Sequence, residues 1–96
     1  MIDVENISYL VRITGRVQGV CFRSWTMNQA SLWKVSGWVR NRRDGSVEAV
    51  ICGSPLHVQE MLRAFEIGPQ AAQVTSVDAT PCNPPDEPGF RQFLSG

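Results

Sequence analysis

The run Gly15-Arg16-Val17-Gln18-Gly19-Val20-Cys21-Phe22-Arg23 brings two glycines and an arginine to the onset of a helical pattern. Those residue types at that spacing suit the capture of an anion. The first N–H groups of a helix lack intrahelical acceptors and sit at the positive end of the macrodipole, so a phosphate placed there satisfies donors that otherwise need water. Glycine at 15 and 19 permits positive φ and removes the Cβ that would hold a ligand away, letting successive N–H groups form a nest. Arg23, in the first turn, aims a planar fork at the same point, each charge-assisted contact contributing about 1.5–3 kcal/mol. Plainer readings stand beside these: strand-end glycines, and a solvated surface arginine. An arginine in a first helical turn, however, opposes the dipole unless an anion compensates it.

Cys21 has two readings as well. A thiol at a helix N-terminus has a lowered pKa and can act as a nucleophile. Thiol phosphatases, though, place the cysteine at the head of the phosphate loop and the arginine at its far end, whereas Arg23 follows Cys21 by two positions. A thiol open to oxidation is the expectation.

A scaffold must hold this loop. Before it, residues 7–14 alternate, with Ile7, Tyr9, Val11 and Ile13 on one face, the period of a half-buried strand. After it, Phe22, Trp25, Thr26, Gln29, Ala30 and Trp33 form a helical stripe. A strand follows from Gly37 to Asn41, then a hairpin turn at Asp44-Gly45 and a return strand over 47–52. Ser54 as N-cap and Pro55 at the first position open a second helix with the stripe Val58, Met61, Leu62 and Phe65, stopped at Gly68-Pro69. Residues 74–79 read as a strand. The segment 80–89, with Pro81, Pro84, Pro85 and Pro88, reads as a stiff loop, and residues 90–94 leave room for a short final strand. The order βαββαβ plus a last strand predicts an α+β, ferredoxin-like two-layer sandwich, with two helices on one face of a mainly antiparallel five-stranded sheet. Trp25, Trp33, Met61 and Phe65 are expected in the core, and the face of Trp38 stays open.

That fold hosts many functions, so the site must decide. The loop motif, followed by Gly37-Trp38-Val39-Arg40-Asn41, Asp44-Gly45-Ser46-Val47-Glu48, Gly68-Pro69 with Ala72 and Val74, and a closing stretch from Phe90 to Phe93, resembles the acylphosphatase family over roughly residues 7–94. The resemblance implies spatial strand order 4-3-1-5-2 and hydrolysis of the carboxyl–phosphate bond of acyl phosphates, without metal, cofactor or covalent intermediate. It places Arg23 and the backbone of 16–21 (Arg16, Val17, Gln18, Gly19, Val20, Cys21) on the phosphoryl oxygens, and Asn41 on the attacking water. Taken alone, Asn41 reads as a turn former ahead of Arg42-Arg43-Asp44-Gly45, the commoner use of asparagine beside a glycine turn, and only the family motif makes it catalytic. Gly15 supports the loop, Arg16 adds potential at its mouth or is simply solvated, and Ser46 either bonds Asn41 or faces water. With no general base in view near Asn41, the proton is expected to pass to a substrate phosphate oxygen. One departure from the family is Lys34, where a glycine normally ends the first helix; it should strain the C-cap.

Composition bounds the alternatives. The 96 residues, 43% hydrophobic and 19% charged, make one globular domain spanning 1–96, and at that size about two-thirds of the unfolded chain's surface can be buried. No stretch approaches the roughly 18 apolar residues of a membrane span, and the acidic start Met1-Ile2-Asp3-Val4-Glu5-Asn6 lacks a signal-peptide core; a cytoplasmic monomer without membrane partner is expected. Zero net charge gives no global attraction to nucleic acid. Cys21, Cys52 and Cys82 lack metal-ligand spacing and read as reduced thiols, and His57 alone makes no zinc site. The partners expected are a small acyl phosphate, with inorganic phosphate as product and inhibitor. Two alternatives remain: a phosphate- or RNA-binding module using Arg40, Arg42 and Arg43, and a carbamoyl-phosphate-handling acylphosphatase-like domain, which usually has proline where this chain has Ser24.

Overall fold

The computed structural model describes residues 5–94; the first four residues of the acidic start lie outside it. The elements are β1 (Ile7–Arg16), α1 (Phe22–Trp33), β2 (Ser36–Asn41), β3 (Val47–Gly53), α2 (Pro55–Ile67), β4 (Gln73–Pro81) and β5 (Phe90–Gln92). Alternation in β1 buries Val11 and Ile13 completely while Leu10 and Arg12 face outward. Those two residues meet Val39, Val47, Ala49 and Ile51 from the sheet and Phe22, Ala30, Val58, Met61 and Phe65 from both helices in a single core. Trp25 and Trp33 pack against its margin.

The sheet order is β4-β1-β3-β2-β5, which corrects the expected order 4-3-1-5-2. β1 pairs antiparallel with both β3 and β4, and β2 forms a hairpin with β3. β1 and β2 therefore run parallel with β3 between them, and β3 and β4 run parallel with β1 between them. Both are split crossovers, and a common right-handed sense puts α1 and α2 on the same face. The sheet is mixed, not mainly antiparallel, because β5 lies parallel to β2. β4 ends beside the start of β1, as the Cys82 amide donating to the Ser8 carbonyl shows. The segment 82–89 then crosses that end of the sheet and reaches the free edge where β2 begins, so β5 must run the way β2 runs. In consequence β1, β2 and β5 all finish at the opposite end, where the loop 17–21, Asn41 and Phe93 meet.

Both helix termini follow their sequence signals. Ser54 accepts from the His57 amide ahead of Pro55, and Gly68 closes α2 with φ 71°. α1 ends on Lys34 with φ 54°; Val35 N–H donates to the Ala30 carbonyl at 2.9 Å and Lys34 N–H to Ser31 at 3.4 Å. This is the Schellman arrangement with lysine at the left-handed position where glycine is normal. A Cβ there costs about 1 kcal/mol, so Lys34→Gly should raise the thermal midpoint by about 4–8 °C and leave turnover unchanged; a lowered midpoint in a melting experiment would contradict the strain. No helix among the described residues is long and apolar enough to cross a membrane.

Candidate active site

A cleft of about 390 Å³ opens at the end where β1, β2 and β5 finish, lined by Val17, Gln18, Gly19, Cys21, Phe22, Arg23, Ser24, Asn41 and Gln92. Its floor is built by backbone conformation. Gly19 has φ 72° and Cys21 φ 61°, while Val20 between them keeps negative φ. That alternation turns successive N–H groups to one side, the geometry of a nest. A Cβ on Gly19 would meet nothing within 4 Å, so the requirement there is φ alone. At Gly15 both limits apply: φ is 121° and a Cβ would stand 2.2 Å from the Gln73 carbonyl.

Among the described residues, no backbone acceptor takes an N–H from the stretch 17–24; the first bond of α1 is Trp25 N–H to the Cys21 carbonyl. No acidic residue occupies the first turn of α1, and the N-cap makes no side-chain hydrogen bond. Residues 17–19 and 21–24, at a helix N-terminus and with their amides unclaimed, thus line one cleft that has no acidic residue in its lining.

Arg23 stands in the first turn, half-buried, with Nη1 donating to the Phe93 carbonyl at 2.9 Å. The C-terminal segment fixes one end of the fork and leaves its remaining N–H groups for the cleft. Phe93 is itself placed by donating its N–H to the Val39 carbonyl at 2.9 Å. Asn41, the last residue of β2, is half-buried and lines the same cleft.

The expected residues therefore divide. Val17, Gln18, Gly19, Cys21, Arg23 and Asn41 come together around the cleft. Val17 and Val20 send their side chains into the core, leaving the backbone amide as what Val20 can offer a ligand. Arg16 ends β1 opposite Gln73, exposed and outside the lining. Ser46 neither faces water nor bonds Asn41: it is 3% exposed, and both its N–H and its hydroxyl donate to Asp44 Oδ1, at 2.9 and 2.6 Å. Those two bonds, with the nearby Arg42 guanidinium adding to them, hold the Asp44 carboxyl below its usual range.

Three contributors escaped the sequence reading. Gln92 lines the cleft and the Phe93 carbonyl anchors Arg23; the only sequence signal was their place in a short final strand whose partner was not legible. The third is the Gln18 side chain, whose Nε2 donates to the carbonyls of Arg42 at 2.7 Å and Ser46 at 2.8 Å.

Arg40 of β2 and Arg42, just beyond its end, are otherwise engaged. On the sheet face away from the helices, Glu48 accepts from Arg40 Nε at 2.8 Å and Arg42 Nη1 at 3.1 Å, and Arg40 also lies 5.3 Å from the centre of the Trp38 ring. All three thiols are free, with Cys21 exposed and Cys52 buried. Burial, and then the neighbouring Cys52, push the Cys82 thiol above its ordinary pKa. Among the described residues no group of three His, Cys, Asp or Glu is gathered as metal ligands would be.

The acylphosphatase family profile matches residues 9–93. An acylphosphatase of Rhodospirillum rubrum is 49% identical over 83 residues, covering 86% of this chain and 91% of the relative. The structure of an acylphosphatase from Coxiella burnetii superposes with a TM-score of 0.88 at 31% identity, covering 92% of this chain and 93% of that one. Full-length HypF, solved in a phosphate- and nucleotide-bound form, also superposes at 0.88, but at 20% identity and over 12% of its own length, so that likeness shows the fold alone.

Proposed function

The chain belongs to the acylphosphatase family, hydrolases of acid anhydrides, and from that premise we propose how its own residues split an acyl phosphate into carboxylate and inorganic phosphate. The observation that carries the assignment is that the stretch 17–24, whose amides have no acceptor among the described residues, lines one cleft with Arg23 and Asn41. The nest and the free N–H groups of Arg23 hold the non-bridging phosphoryl oxygens, whose charge must be stabilised as the transition state forms. Asn41 holds water in line with the scissile bond, its carboxamide oxygen accepting a hydrogen bond from that water.

The water oxygen attacks phosphorus, the bond from phosphorus to the acyl oxygen breaks, and its electron pair leaves with the carboxylate. An amide is no base, so the water proton passes to a phosphate oxygen of the substrate. Because a carboxylate is a good leaving group, positioning and electrostatics supply what is needed without a dedicated acid. In this reading the protein requires no metal, cofactor or nucleic acid, and product phosphate competes for the same nest.

Steady-state hydrolysis of benzoyl phosphate tests the proposal. Turnover in EDTA equal to that without it, inhibited competitively by inorganic phosphate, is the expected result. Reversible loss of turnover on chelation, or phosphate inhibition that is not competitive, would overturn it.

A further inference from the structure

We propose that Gln18 is a positioning residue for the hydrolysis, tying the phosphate-binding loop to the turn that follows Asn41 through its side-chain amide. The inference rests on the roles given above to the nest and to Asn41, and adds what keeps the two in register. The β1–β3 ladder ends at the pair Ile13 and Val47. Beyond that pair the loop 17–21 and the turn 42–46 leave the sheet side by side. Among the described residues, the two bonds from Gln18 Nε2, to the Arg42 and Ser46 carbonyls at 2.7 and 2.8 Å, are the hydrogen bonds that join them.

Closure of the turn does not depend on those bonds. Arg42 N–H already donates to the Ser46 carbonyl at 2.8 Å, and Gly45 N–H to the Arg42 carbonyl at 3.2 Å. Asp44 caps the turn through Ser46, and Glu48 holds Arg42 from the opposite face. The turn is thus a braced unit, and a tether to one end of it fixes where Asn41, the residue before Arg42, stands relative to the nest beginning at Gly19. Both acceptors are carbonyls, so only the amide nitrogen of Gln18 can serve, and any side chain with a donor of similar reach can substitute.

Placement of this kind appears in kcat. A misplacement of about 1 Å between attacking and attacked atoms can cost about 10²-fold in rate, while phosphate still finds its amides. Gln18→Leu is expected to lower kcat by about 10- to 100-fold and to leave the inhibition constant of inorganic phosphate within about threefold. Gln18→Lys, which returns a donor able to reach both carbonyls, should recover most of kcat; Gln18→Glu, isosteric but presenting oxygen to oxygen, should not.

The deciding measurement is a double-mutant cycle with Asn41→Ala, each variant assayed with benzoyl phosphate at a temperature where its melting curve shows it folded. Because Gln18 acts through Asn41, adding Gln18→Leu to Asn41→Ala should change kcat by less than about threefold. Losses that multiply, or a Gln18→Leu variant with wild-type kcat beside an inactive Asn41→Ala, would overturn the tether while leaving the water-holding role intact. A fully active Asn41→Ala would overturn both.

Discussion

Arg23→Gln is expected to abolish turnover and phosphate binding together. Arg23 is expected to hold the phosphoryl group in ground and transition states alike, so its removal shows in the inhibition constant of inorganic phosphate as well as in rate. Charge-assisted contacts of about 1.5–3 kcal/mol each predict a loss of phosphate affinity of at least about 10²-fold. Comparable losses of an arginine or an oxyanion donor elsewhere predict a fall in kcat/KM of about 10³-fold or more. The bond from Nη1 to the Phe93 carbonyl also disappears, so the variant's melting temperature must be measured alongside. Arg23→Lys, which keeps the charge but not the fork, should fall between the two. Phosphate binding of wild-type strength in Arg23→Gln would remove the arginine from the site.

Asn41→Ala should separate what Arg23→Gln loses at once. Its carboxamide is assigned to the water, which is absent from the phosphate complex, so kcat should drop by about 10²- to 10³-fold with phosphate affinity kept within about threefold. Stability should hardly change, because the place of residue 41 in β2 comes from its backbone pairing with Val47. Steady-state kinetics with phosphate as competitor read both quantities in one experiment. Normal turnover in this variant would end the water-positioning role.

The two expectations differ in how far the sequence carried them. The expectation for Arg23 rests on physics, since a cation in a first helical turn calls for an anion and no acidic residue stands in that turn. The one for Asn41 rests on resemblance alone, because asparagine beside a glycine turn has an ordinary use. Periodicity delivered β1, both helices and the Ser54-Pro55 start of α2, since each repeats a local pattern or cap. It was blind to partners: nothing in residues 90–92 tells an antiparallel from a parallel neighbour, and the route of 82–89 around the sheet end decided that β5 lies parallel to β2.

Backbone groups were the larger blind spot within the site. The Phe93 carbonyl that anchors Arg23 and the Arg42 and Ser46 carbonyls that receive Gln18 carry no residue identity, so no motif records them. Ser46 was misplaced for a related reason. A serine two positions after an aspartate at a turn bonds that aspartate through a local Asx geometry, and this nearby partner outcompeted the more distant Asn41. The basic run Arg40, Arg42 and Arg43 suggested an RNA surface; the fold places Glu48 between the first two, which both pair with it, and so engages two of the three guanidiniums.

The central claim is that the unclaimed amides of 17–24 and the Arg23 fork form the phosphoryl site. It is tested most directly by titrating the ¹⁵N-labelled protein with inorganic phosphate while following backbone amide and arginine side-chain resonances. The account predicts saturable shifts concentrated in residues 17–24 and at the Arg23 guanidinium, lost in Arg23→Gln. Shifts centred instead on Arg12, Arg40 and Arg91 across the open sheet face, with the loop unmoved, would contradict it.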